Sequence, residues 1–129
     1  MKLVPNGEGS WTIVSLRVDM EAIGDILIVR LDGELDHHTS EVLRSQMEGQ
    51  INDTDVRHVL LSLKNLHFMD SSGLGVILGR YKQITARGGD MIVCSINPVI
   101  YRLFELSGLF KIIKVKDSEE EALHILGVA

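Results

Sequence analysis

The chain has one cysteine, two prolines, few aromatic residues and an acidic charge balance. Each shortage closes off a class of protein. A lone Cys94 cannot form an internal disulfide, and within Met91-Ile92-Val93-Cys94 it reads as a small buried hydrophobe. Aromatics at 5% of 129 residues argue against a base-stacking platform. The 13 Lys and Arg are outnumbered by 18 Asp and Glu, a net charge of -5. Phosphate contacts need a basic patch, so no nucleic-acid partner is expected. No apolar run is long enough to span a membrane, and the N-terminus lacks the apolar core of a signal peptide. A cytoplasmic protein with no membrane insertion is therefore expected. What is present is 45% hydrophobic and 24% charged residues, enough for one domain with a real core.

Residues 1–13, with Pro5, Gly7 and Gly9 among polar residues, read as a flexible leader or a remnant of expression; 14–129 read as the domain. Val14 to Met20 alternates like a strand. Gly24-Asp25 is a turn signal and Ile26 to Leu31 a second strand, so the two form a hairpin. Gly33 to Asp36 reads as a loop. A helix is predicted over about Thr39 to Ile51, capped by Thr39, with Val42, Leu43, Met47 and Ile51 on one face. Arg57 to Leu63 is a short apolar strand. A helix follows the run Phe68-Met69-Asp70-Ser71-Ser72-Gly73-Leu74-Gly75 and ends near Arg87-Gly88-Gly89. Met91 to Cys94 is the next strand. Asn97-Pro98 opens a helix carrying Val99, Leu103 and Leu106, stopped by Gly108. Lys111 to Val115 is a last strand. A final helix is capped by Asp117 or Ser118. The fold class is thus α/β: a mixed, mostly parallel sheet with an N-terminal hairpin and four helices.

In parallel β-α units every loop leaving a strand toward its helix lies at one edge of the sheet, where ligands tend to bind. Gly33 to His38, His67 to Gly73 and Ser95 to Pro98 are such loops. Asp36, Ser71 and Asn97 are therefore expected to be near neighbours.

The serines lie at a helix N-terminus, where free N–H groups and the helix dipole favour an anion. The plain reading is that Ser71 or Ser72 caps the helix while Gly73 and Gly75 permit a tight turn. The sharper reading is that capping needs one hydroxyl and leaves the other accessible to a kinase, whose phosphate would add about −1.5 to −2 charges there. A hydrolase would need His37, His38 or His67 as base, with Asp36 or Asp70 orienting it. The flanks are not Gly-x-Ser-x-Gly, so no nucleophile elbow is present. Adjacent histidines rarely share one ion, which weakens a metal site of Asp36, His37, His38 and His67. A phosphoaccepting Asp70 would want an acidic pair after the first strand, and Asp19-Met20-Glu21 falls on the wrong edge. No cofactor and no catalytic activity are expected. Leu74, Leu103 and Phe104 read either as core or as apolar contacts for a partner beside the serines.

The stretches Gly33 to Thr39, Phe68 to Ile84 and Leu106 to Ile113 closely resemble the anti-sigma factor antagonists of the STAS family, in particular those of sigma-F control in spore-forming bacteria. The resemblance spans about Ser15 to Ala129. It implies that Ser71, first serine of Asp-Ser-Ser-Gly, is phosphorylated by an anti-sigma factor that is also a serine kinase. It implies further that the unphosphorylated form binds that kinase and frees the sigma factor, and that a phosphatase restores the serine. Asp36, Asp70, Ser71, Ser72, Gly73, Leu74, Gly75, Asn97 and Leu103 are the expected partner-binding residues. The alternative is a STAS module of another signalling complex, or one binding a small anionic ligand.

Overall fold

A computed structural model describes residues 2–5, 9 and 11–128 of the chain. Strands β1 (Lys2–Pro5) and β2 (Trp11–Val14) form an antiparallel two-stranded ribbon from the segment read as a leader and from Val14, the first residue beyond it. Residues 1, 6–8 and 10 of that segment lie outside the described residues. The domain follows as β3 (Leu16–Ile23), β4 (Ile26–Leu35), α1 (His37–Asp53), β5 (His58–Met69), α2 (Ser71–Ala86), β6 (Met91–Cys94), α3 (Pro98–Ser107), a 3-10 turn (Leu109–Lys111), β7 (Lys114–Lys116) and α4 (Glu119–Ile125).

The five-stranded sheet has the order β3-β4-β5-β6-β7. β3 and β4 pair antiparallel across Gly24-Asp25, and every later pair is parallel. Side chains alternate between faces, as strand geometry requires. Leu27, Val29 and Leu31 of β4, Val59, Leu61 and Leu63 of β5, and Met91 and Val93 of β6 enter the main core. Their neighbours Ile26, Ile28, Leu60, Ile92 and Cys94 enter a smaller core with Ala122 of α4. Helices α1, α2 and α3 therefore cover one face and α4 the other. Burial on both faces is why the central strands read as unbroken apolar runs. Cys94 is fully buried, as expected, and burial pushes its thiol pKa up.

Several boundaries depart from the predicted ones, each for a tertiary reason. The stretch from Gly33 to Leu35 is strand, because β5 runs beside it as far as the Leu35–Met69 pair, through register shifts after Arg30 and Gly33. At Gly33, with φ 120°, a Cβ would lie 2.3 Å from the Ser15 carbonyl oxygen, which accepts from the Glu34 N–H. Only glycine permits that approach. α1 begins at His37 because Asp36, not Thr39, is its cap. Its inward row is Ser40, Leu43, Met47 and Ile51, while Val42 faces outward at 54% exposure. The predicted last strand begins late, at Lys114, because Lys111 still belongs to the 3-10 turn, closed by the Ile112 N–H donating to the Leu109 carbonyl at 3.0 Å. In α3 the buried row is Ile100 and Phe104, so Val99 and Leu106 point away from the sheet at 64% and 69% exposure. Gly108 ends α3 in the left-handed region, as predicted.

Candidate functional site

Of the helices that begin at the edge where the parallel strands end, α1, α2 and α3 are each capped by a residue expected to bind a partner. Asp36 caps α1, Asp70 caps α2 and Asn97 caps α3. The Asp36 carboxylate accepts from the N–H groups of His38 (3.0 Å) and Thr39 (2.9 Å), and the Thr39 hydroxyl closes a capping box by accepting from the Asp36 N–H at 2.8 Å. The bond from the Thr39 N–H is the main reason the Asp36 pKa falls below its usual value. Asp36 is thus a structural cap, with one carboxylate oxygen committed to the start of its own helix. Asn97 accepts from the Ile100 N–H at 3.0 Å and donates its amide to the Leu66 carbonyl at 2.5 Å.

Neighbourhood follows topology only in part. The Asp70 N–H donates to the Leu35 carbonyl at 3.2 Å, which sets the starts of α1 and α2 side by side. β6 ends opposite Ser62, whereas β5 continues to Met69. Asn97 therefore meets β5 at Leu66, below the serines, and not at Asp70. α3 closes the distance by leaning on the overhang of β5.

The Asp70 carboxylate accepts from the Ser72 N–H at 2.9 Å and the Gly73 N–H at 3.3 Å. The cap of α2 is therefore an aspartate, and the serine-cap reading is overturned. Ser71 occupies the first helical position and is exposed; Ser72 is half-buried. Among the described residues no hydrogen bond engages either serine hydroxyl. Gly73, expected on the binding surface, is buried: a Cβ there would lie 2.6 Å from Met69 Cγ and 2.9 Å from Leu35 Cδ2. Glycine is needed because the first turn of α2 sits directly on the ends of β4 and β5. Gly75 is exposed, with open space where a Cβ would be. Leu74 and Leu103, expected at the surface, are half-buried and pack on the main core.

Beside the serines lies an apolar depression of about 550 Å³, lined by Phe68, Met69, Pro98, Val99, Arg102 and Leu103. Phe68 is 47% exposed and was visible in the sequence only as part of the serine motif. Its period-two offset from buried Met69 is the signal that sets it outward. A second depression, of about 580 Å³, lies on α4 at the opposite face, remote from Ser71. Among the described residues no group of three His, Cys, Asp or Glu side chains gathers as a metal would need. Among the described residues no helix is long and apolar enough to cross a membrane.

The STAS domain family matches residues 17–122. The chain belongs to that family. It is 56% identical over 115 residues to the anti-sigma F factor antagonist of Paenibacillus polymyxa, covering 89% of this chain and 98% of that one. It resembles the solved structure of SpoIIAA in its unphosphorylated form with a TM-score of 0.71 and 30% identity, over 87% of this chain and 100% of that chain. It resembles the Bacillus cell fate determinant SpoIIAA in the phosphorylated form with a TM-score of 0.68 and 33% identity, over 84% and 97% of the two chains. The single STAS domain, with its mixed sheet and four helices, is the architecture expected from the sequence.

Proposed function

We propose that this chain is an anti-sigma factor antagonist of the sporulation type, acting in the cytoplasm by partner switching with Ser71 as the switch. One observation carries the reading. The first turn of α2 is capped by Asp70, so the Ser71 hydroxyl has no structural duty and stands exposed at a helix N-terminus. The similar antagonist from Paenibacillus polymyxa and the two forms of SpoIIAA support the choice of partner class. The activity is binding rather than catalysis.

In its free form the face around Ser71, continued by the apolar depression at Phe68, Val99 and Leu103, docks on an anti-sigma factor that is also a serine kinase. Docking displaces the sigma factor. The Ser71 oxygen then takes the γ-phosphoryl group of ATP, ADP leaves, and a serine phosphatase later restores the hydroxyl. A dianionic group at a helix N-terminus is well tolerated by the chain that carries it. The partner instead meets repulsion and the cost of desolvating a charge. SpoIIAA's two forms each match this chain, as a local switch without refolding would have it.

Incubation with a sigma-F-type anti-sigma factor and ATP tests this by intact mass and by gel filtration. One phosphate is expected on the wild type and none on Ser71→Ala, which should remain bound. A phosphate on Ser71→Ala, or no complex with either form, would overturn the reading.

A further inference from the structure

A phosphate on Ser71 would enter a crowded place. The Asp70 carboxylate already takes the N–H groups of Ser72 and Gly73. At the adjoining helix start the Asp36 carboxylate takes those of His38 and Thr39. The donors that a helix N-terminus offers an anion are thus largely spent, and two carboxylates stand close by. A further negative group there needs a cation from elsewhere in the chain.

The fold brings one to the place. The bond from the Asp70 N–H to the Leu35 carbonyl sets the starts of α1 and α2 side by side. His37 and Ser71 hold the same first position of their helices, and both are exposed. His37 shares a shallow groove of about 290 Å³ with Ser72 and Gly75, so its imidazole stands on the α2 side of α1, next to the serines. Arg44, and to a smaller degree His37, holds the Glu41 carboxyl below the usual range, which sets the imidazole on that same side. His38 is turned about 100° further round α1, and its ring meets that of His37 edge-on at 5.7 Å. The arginines nearby are engaged. Arg44 pairs with Glu41 and Glu48, Arg80 is buried against Glu48, and Arg102 pairs with Glu105 across the apolar depression.

We propose that His37 is the internal counter-ion of phosphorylated Ser71, its imidazolium donating to a phosphate oxygen across the gap between the two helix starts. The inference rests on the reading of Ser71 as the switch. Such a bond is charge-assisted and short-range. A histidine can make it without presenting a permanent cation to the kinase while Ser71 is free, as an arginine would. Asp36, Asp70 and Glu41 compete for the same imidazolium, and the dianionic phosphate outweighs each of them singly. The pairing draws the phosphate toward α1 and leaves the apolar depression on the α3 side uncovered.

The test installs phosphoserine at position 71 during translation, so that no kinase is needed, and follows the phosphate by phosphorus NMR against pH. The second phosphate pKa is expected about 0.5 below that of the same protein carrying His37→Gln, as an exposed ion pair allows. The difference should shrink in ~1 M salt. His37→Arg keeps a cation at that place and should hold the phosphate pKa at or below the wild-type value. His38→Gln and His67→Gln should leave it where it is. All three histidines are exposed, so the variants should keep the fold, which amide spectra check. An equal phosphate pKa in wild type and His37→Gln, or as large a change from His38→Gln or His67→Gln, would overturn the proposal. Failure of the partner-switching reading is seen separately, as an unmodified chain that takes no phosphate from the kinase.

Discussion

The starts of α1 and α2 are built on one plan and put to different use. Both follow a strand that ends at the same edge, and both are capped by an aspartate with nearly identical backbone angles, φ −105° and ψ −170° at Asp36 against φ −107° and ψ −171° at Asp70. At α1 the next hydroxyl, on Thr39, is drawn back into the cap and bonded to the Asp36 N–H. At α2 the corresponding third position is Gly73, buried against Leu35 and Met69, and the hydroxyls move forward to Ser71 and Ser72. A side chain that closes the cap at α1 is thereby released at α2. The lesson is that a reactive-looking hydroxyl at a helix start is informative only when some other residue does the capping.

The sharpest way to break this comparison is to place the same charge at both helix starts. Ser71→Glu should weaken binding to the anti-sigma factor on the order of 100-fold, since like or desolvated charges at an interface cost several kcal/mol. His37→Glu, at the equivalent position of α1, should change it far less. Isothermal titration of both variants is the check; equal losses would make the face, rather than Ser71, the determinant.

The next largest effect concerns the glycines. Gly73→Ala should lower unfolding free energy, because overpacking costs about 1–3 kcal/mol, while alanine regains only about 0.5–1 kcal/mol over glycine in a helix. Gly75→Ala meets nothing and should keep that gain in full. Urea unfolding of the pair measures opposite signs, and a neutral Gly73→Ala would show that the Met69 and Leu35 side chains yield.

Asp36→Ala removes the cap of α1 and should cost about 1 kcal/mol. Because hydrogen bonding from Thr39 lowers the Asp36 pKa in the fold, its contribution is fully present above the unfolded carboxyl pKa. It is lost as pH falls through the lower, folded value. The stability gap between wild type and Asp36→Ala should therefore be constant near neutrality and close in acid. A gap that persisted in strong acid would mean the loss was not that of the ionised cap.

The smallest effect is expected at Ser72→Ala, within about 0.5 kcal/mol of wild type by urea unfolding, as for a substitution that breaks no cap or core contact. A loss near 1 kcal/mol would make Ser72 a partner in capping after all and erase the contrast between the two helix starts.

Much of this protein was settled by local sequence. Alternation marked the first strand of the sheet and short apolar runs its central strands, Gly24-Asp25 its hairpin, Asn97-Pro98 the start of α3 and Gly108 its end, because period and turn chemistry act over a few residues. The serine motif was legible for the same reason. Tertiary structure decided the rest. Whether Val99 and Leu106 or Ile100 and Phe104 faced the core could not be read from spacing, since both rows recur at helical intervals. The strand extensions to Leu35 and Met69 arise from pairing with each other across bulges. Asp36 and Asp70 became caps once the strands had delivered them to helix starts. The buried, half-satisfied Arg80 shows the limit most plainly: in the chain it is one more arginine on a helix, and only the approach of α1, bringing Glu48 to one nitrogen, gives it a partner and leaves two buried donors without one.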